Sequence, residues 1–96
     1  MKNKQVVCPI AKVANILSDT WTILILHFLI EKPNRFCDLQ RELSGISSRT
    51  LTLKLKKLTK EDLIEKTVKG IYKATKRGKG IRIIENAMKR YEKKFF

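Results

Sequence analysis

Gly45-Ile46-Ser47-Ser48-Arg49-Thr50-Leu51-Thr52-Leu53-Lys54-Leu55-Lys56-Lys57-Leu58 is the stretch on which the reading of this chain turns. Leu51, Leu55 and Leu58 follow i, i+4, i+7 spacing, so they share one face of a helix. Ser47 stands just before the periodic run and is a good N-cap. Gly45 suits the left-handed turn that ends a preceding helix. At about 100° per residue, the opposite face carries Arg49, Leu53, Lys56, Lys57 and Lys60, with Ser48 and Thr52 on one flank. Such a helix can pack through its leucines and meet a polyanion with its outer face. The plainer alternative is a solvated amphipathic helix, and the flanking sequence has to choose between them.

The 96 residues suit a single domain, 1–96. A chain this short buries a modest core, and oligomerisation often completes such cores. The formal charge is +13 and unevenly placed. Residues 1–48 hold six Lys/Arg against four Asp/Glu, while residues 49–96 hold sixteen against five. One basic half implies a polyanionic partner, nucleic acid first and an anionic membrane surface second. The longest apolar run, Ile23-Leu24-Ile25-Leu26 resuming at Phe28-Leu29-Ile30, is too short to span a bilayer and reads as a buried helix. With no secretory signal in view, the expected location is cytoplasmic and nucleoid-associated. Two distant cysteines and one histidine make no zinc pattern, so no metal or cofactor is expected. In a reducing cytosol both cysteines are expected as free thiols.

Outward from the central stretch, residues 1–7 are polar and read as loose. Cys8-Pro9 opens a first helix over 8–17, with Pro9 near N1, where its missing N–H costs nothing. Ile10, Val13 and Leu17 form its stripe, with Val6 at the edge of it. Ser18 or Asp19 ends that helix and caps a second one, running to about Glu31 and apolar nearly all round. Trp21 is expected to anchor the two helices to each other, and His27 reads as a structural histidine rather than a ligand or base. After the turn Lys32-Pro33-Asn34, Arg35-Phe36 is extended, and Cys37–Leu43 is a brief helix with Leu39 and Leu43 inward. Cys37 is placed at its N-cap and Gln40 at N3, a weak capping box. A short helix, a Gly-containing turn and a helix with a polar outer face make a helix-turn-helix arrangement. Asp62 ends the central helix, and Leu63–Val68 and Ile71–Ala74 read as a hairpin turning at Lys69-Gly70. The expected class is mainly α with a small β-hairpin wing, a winged helix-turn-helix. Thr75 caps a last helix over about 76–95, weakened early by Gly78 and Gly80. Its Ile81, Ile84, Met88, Tyr91 and Phe95 are spaced 3, 4, 3, 4, as in a coiled-coil seam. That seam either meets a second copy of the chain or folds back on the core.

The residues from 8 to 95 resemble the HxlR-type (DUF24) winged helix-turn-helix transcriptional regulators, relatives of the MarR group. The resemblance rests on Cys8-Pro9, Trp21-Thr22 with Ile25-Leu26 and Leu29, Arg35-Phe36 with Leu39, Leu43 followed by Gly45-Ile46-Ser47, Leu51 with Leu55 and Leu58, Leu63-Ile64, and Tyr72 with Thr75 and Gly78. There are departures. Asp19-Thr20 stands where the family usually has Gly-Lys, the wing is shorter, and Asp62 stands where the family favours Gly. The resemblance implies a homodimer joined through the first helix (Ile10, Val13) and the last, regulating transcription at a roughly palindromic operator. It also implies that some members sense oxidants or electrophiles through the cysteine that is Cys8 here.

On this reading two central helices would enter successive major grooves, about 34 Å apart. Ser47, Ser48, Arg49 and Thr52 come within reach of base edges, and the fork of Arg49 suits guanine O6 and N7. Thr52 or Leu53 could meet a thymine methyl; alternatively Leu53 packs on the wing or first helix. Lys54, Lys56, Lys57 and the wing lysines Lys66, Lys69 and Lys73 would hold phosphates, and Arg35 is a further DNA-binding candidate. Cys8 and Cys37 each stand near a helix N-terminus, which favours a thiolate, and Lys12 is near Cys8. Both are candidates for redox sensing; the plainer reading is that they are small apolar or capping residues. No nucleophile elbow, phosphate loop or suitable pair of carboxylates points to an enzyme. Three other readings stay open: a non-specific architectural DNA-binding protein, a winged helix used for protein contact, and a membrane-surface helix over 81–95. The patterns identify no small-molecule effector.

Overall fold

The computed structural model describes residues 8–96. The reading of residues 1–7 as loose, and of Val6 as part of a stripe, lies outside that range. Helix α1 spans Pro9–Leu17, with Pro9 at its start and Cys8 as its N-cap residue. Helix α2, Thr20–Glu31, is capped by Asp19, whose carboxylate accepts from the Thr22 amide at 2.9 Å. Strand β1 is Asn34–Arg35, and α3 follows directly as Phe36–Glu42. Helix α4, Ser48–Lys60, leads into β2 (Ile64–Lys66) and β3 (Ile71–Ala74). A short α5 (Lys76–Lys79) and a long α6 (Arg82–Phe95) complete the chain.

The core is built around α2. Ile25, Leu26, Leu29 and Ile30 of α2 are buried with Leu39 and Leu43 from the α3 region, Ile46 of the turn, and Leu51, Leu55 and Leu58 of α4. Leu63, Ile64 and Ala74 close it from the sheet, and Trp21 packs partly buried against it. α1 and α2 are apolar in succession but meet at 82°, and no single helix among the described residues is long and apolar enough to cross a membrane.

The wing belongs to a three-stranded antiparallel sheet of order β1-β3-β2. Asn34 and Arg35 pair with Tyr72 and Ile71, while Ile64, Glu65 and Lys66 pair with Ala74, Lys73 and Tyr72. The expected hairpin is therefore present, with β1 added on its free edge. Three local expectations change. Phe36 is the first residue of α3 rather than part of the extended segment. Cys37 is inside α3 with Arg35 at the N-cap position, so neither Cys37 nor Gln40 forms a capping box. Thr75 caps α5 by accepting from the Gly78 amide at 3.1 Å, and the long last helix begins only at Arg82.

Two residues in left-handed backbone bracket α4. Gly45 has φ +98° in the turn before it, as expected from the sequence. Asp62, with φ +62°, follows its end. Aspartate tolerates this region better than most side chains, which explains how it can stand where the family favours glycine. Gly78 is needed for a different reason. A Cβ there would collide with the Leu63 carbonyl, so α5 can lie against the start of the sheet only without a side chain.

Candidate nucleic-acid interface

The turn between α3 and α4 is fastened by side chains from both helices. Ser47 accepts from the Thr50 amide at 3.0 Å, which satisfies one of the open N–H groups at the start of α4. Its hydroxyl also donates to the Thr50 hydroxyl at 3.0 Å. Gln40 donates to the Ile46 carbonyl at 3.3 Å and to the Ser48 hydroxyl at 3.0 Å. Gln40 is thus a positioning residue for the turn, a role that a local capping pattern could not reveal because its partners lie six and eight residues away.

The outward face of α4 carries Arg49, Thr52, Leu53, Lys56, Lys57 and Lys60, all exposed. Leu53 is 56% exposed. Lys56 and Lys60 also line a cleft of about 410 Å³ with Leu55 and Thr59 of α4 and Lys66 and Tyr72 of the wing. The Lys66 ammonium lies 5.5 Å from the centre of the Tyr72 ring, within the range of a cation–π contact. Three cations thereby converge on one concave surface between helix and wing. Tyr72 escaped the sequence reading as a site residue, because only the register that pairs it with Lys66 puts it there.

The wing tip is Thr67–Gly70, closed by hydrogen bonds from Gly70 to the Thr67 carbonyl and from Thr67 to the Ile71 carbonyl. Lys69 is exposed there beside a fully exposed Val68, an apolar side chain the charge-based reading passed over. Arg35 donates to the Lys69 carbonyl at 3.2 Å and so tethers β1 to the tip. A guanidinium has five N–H donors, which leaves Arg35 others for a second acceptor.

Two of the expected phosphate contacts are not brought to this surface. Lys54 is only 24% exposed and is ion-paired with Asp19 at the start of α2. That contact is the largest cause holding the Asp19 carboxyl below the ordinary aspartate range; partial burial opposes it. Lys73 lies 3.6 Å from Glu65 and lines a separate cleft with residues 29–33 and the start of α5. Alternation along β3 puts Lys73 and Tyr72 on opposite faces, and Tyr72 is the one that faces α4.

The proposed interhelical seam changes in the same way. Ile81 is 8% exposed and belongs to the core, and Ile84 is half-buried against it. Arg82 reaches the Ile30 carbonyl at the end of α2 at 3.5 Å, and Glu85, buried, lies 3.3 Å from His27. The first turn of α6 therefore fastens the helix to α2. Ile10, Val13, Met88, Tyr91 and Phe95 stay exposed, with Ile83 and Phe96 in addition. Pro9, Ile10, Val13, Ala14 and Leu17 form with Ile84 an apolar groove of about 440 Å³. Both cysteines are free, Cys8 half-buried and Cys37 exposed. No group of His, Cys, Asp and Glu suited to a metal occurs among the described residues.

The model of HxlR-like helix-turn-helix proteins matches residues 16–96. The chain belongs to this family. It is 34% identical over 88 residues to the HTH-type transcriptional regulator sll1512 of Synechocystis sp., covering 85% of this chain and 65% of that protein. The chain thus spans about two thirds of that relative's length. It is 28% identical over 95 residues to the HTH-type transcriptional regulator YodB of Bacillus subtilis, covering 92% of this chain and 85% of YodB. The quinone-bound structure of YodB superposes with a TM-score of 0.85 over 93% of this chain and all of that one, at 28% identity. The redox regulator HypR in its oxidised form superposes with a TM-score of 0.78 over 93% of this chain and 98% of that one, at 25% identity. DNA-binding transcription regulation through a winged helix-turn-helix is therefore the function class of this HxlR-type chain.

Proposed function

We propose that this protein is a sequence-specific regulator that binds duplex DNA as a homodimer at a roughly palindromic operator, with no catalytic activity. The observation that carries the reading is the outer face of α4. It offers one arginine, one threonine and an exposed leucine near three exposed lysines, on a helix whose start is pinned by Ser47 and Gln40. Arg49 and Thr52 are the base-reading residues, and Leu53 the contact for a thymine methyl. Ser48 lies beside them within reach of base edges, and Lys56, Lys57, Lys66, Lys69 and Arg35 hold phosphates. Exposed Ile10, Val13, Met88, Tyr91 and Phe95, beside the groove lined by Ile84, are the surface that a second copy covers.

Fluorescence anisotropy on the duplex upstream of the protein's own gene, against a scrambled duplex of equal length, tests this reading. The expected result is a preference for the native duplex that persists at higher salt. With about six phosphates neutralised, affinity should fall roughly a thousandfold between 50 and 200 mM salt. Equal, salt-sensitive binding to both duplexes would instead establish an architectural DNA-binding protein, a reading that the excess of lysine over arginine and the four-residue wing tip favour.

Cys8 is the residue through which oxidants or electrophiles would act on this dimer. It stands half-buried at the start of α1. YodB in a quinone-bound form and HypR in an oxidised form support extending that chemistry to this chain. Cys37, exposed near the start of α3, is the second candidate. Mild peroxide should modify Cys8, seen by mass spectrometry, and shift DNA affinity; an unmodified Cys8 with unchanged affinity would remove the sensing role.

A further inference from the structure

The carboxylate of Asp19 does two jobs at once. One oxygen accepts from the Thr22 amide and caps α2, and the other receives the ammonium of Lys54, thirty-five residues away in the middle of α4. The residue before it, Ser18, is held in left-handed backbone at φ +32°, and its hydroxyl lies 3.4 Å from that of Thr22. Asp19 is thus fixed in direction by a tight junction between α1 and α2. Lys54 sits about 60° from the middle of the leucine stripe and about 140° from Arg49 around the helix. It flanks the buried side and does not share the outer face. Gln40 holds the N-terminal turn of α4, and Leu51, Leu55 and Leu58 seat one face of the helix in the core; the Asp19–Lys54 ion pair ties the middle of α4 to the start of α2.

We infer that the Asp19–Lys54 pair is a strut that sets the rotation of the recognition helix against α2, making Asp19 and Lys54 positioning residues for base readout. Base edges are read through paired hydrogen bonds whose geometry tolerates little rotation, while phosphate contacts through flexible lysines tolerate more. Loosening the strut should therefore affect sequence preference and spare general affinity. The inference rests on the sequence-specific reading of α4 and adds to it residues that touch no DNA.

Asp19→Asn separates the two jobs, because asparagine caps a helix as well as aspartate but carries no charge for Lys54. Lys54→Met removes the other end and keeps an aliphatic stem against the core. Both variants and the charge exchange Asp19→Lys with Lys54→Asp are measured on the native and scrambled duplexes. Each single variant should lower affinity for the native duplex about tenfold, the order lost with one mismatched base pair. Affinity for the scrambled duplex should stay within about twofold, and the charge exchange should recover part of the preference. An unchanged preference in both single variants overturns the strut while leaving the specific reading intact. Equal losses on both duplexes for Lys54→Met alone, with a salt slope lower by about 0.9, make Lys54 a phosphate contact and overturn it too. If the parent chain itself shows no preference between the duplexes, the sequence-specific reading fails and the strut falls with it.

Discussion

In α4 the apolar stripe of Leu51, Leu55 and Leu58 is at most 2% exposed, whereas in α6 Met88, Tyr91 and Phe95 stand 45, 60 and 64% exposed. Both helices are amphipathic with strongly basic outer faces, and by periodicity alone they are equivalent. They differ in what the fold sets opposite them. α4 lies against α2 and runs into β2, so its leucines complete the core. α6 touches the core through Ile81, Ile84 and the contacts of Arg82 and Glu85, Met88 borders a cleft beside Ile23 and Leu24, and the later turns carry exposed Tyr91 and Phe95. The lesson is that an apolar stripe announces burial without saying against what. Here one stripe is satisfied within the chain, and the other is left exposed as the surface that the proposed dimer would cover.

Leu55→Ala should produce the largest effect on stability. A fully buried leucine cut to alanine costs about 2–5 kcal/mol, which in a domain of this size lowers Tm by roughly ten degrees or more. Thermal unfolding followed by circular dichroism reads it. Tyr91→Asp combined with Phe95→Asp should leave the monomer's fold intact and abolish the dimer, seen by sedimentation. Loss of the second recognition helix should then weaken operator binding by about a hundredfold or more. A double variant that unfolds instead would show that α6 is core like α4 and erase the contrast.

Arg49→Ala addresses the outer face of α4. It should cost about 1–3 kcal/mol on the native duplex, with little change on a scrambled one. A uniform loss on both would make Arg49 a phosphate contact.

The smallest effect concerns Asp19. Its carboxyl is held below the ordinary aspartate range, chiefly by Lys54. A group whose folded-state pKa is lowered contributes stability above the unfolded value and loses it as pH falls through the folded one. Stability should therefore decline in acid through and below the usual carboxylate range. The decline should be shallower in Asp19→Asn, as denaturant midpoints across that range would show. Because both side chains are partly solvated, the difference should be modest.

The features legible in the sequence are those whose partners are near in the chain. Ser47 caps the residue three positions on, Gly45 relieves the turn beside it, and three leucines select one helical face by spacing alone. Those short-range features, with the motifs around Trp21, Arg35 and Ile46, were enough for the winged helix-turn-helix class and for the helix that is α4. Cys37 was misplaced because a cap depends on where the backbone leaves the sheet: the β1 pairing runs to Arg35, which becomes the N-cap, so α3 starts at Phe36, two residues before the start that a Cys37 cap implies. Lys54 and Lys73 were read as free because charge counts do not reveal Asp19 or Glu65 across from them. Ile81 was assigned to the seam because spacing cannot tell the last core residue from the first exposed one.

By itself, then, the sequence determined the helices from α1 to α4, where the turn falls and which face of α4 is basic, since capping, spacing and turn chemistry act over three or four residues; it ran α5 and α6 together as one helix. The tertiary structure alone decided that Lys54 and Lys73 meet carboxylates, which wing face meets α4 and where the seam of α6 leaves the core. Those outcomes depend on groups brought together from positions tens of residues apart, whose contact is a property of the packed chain and of no local stretch within it.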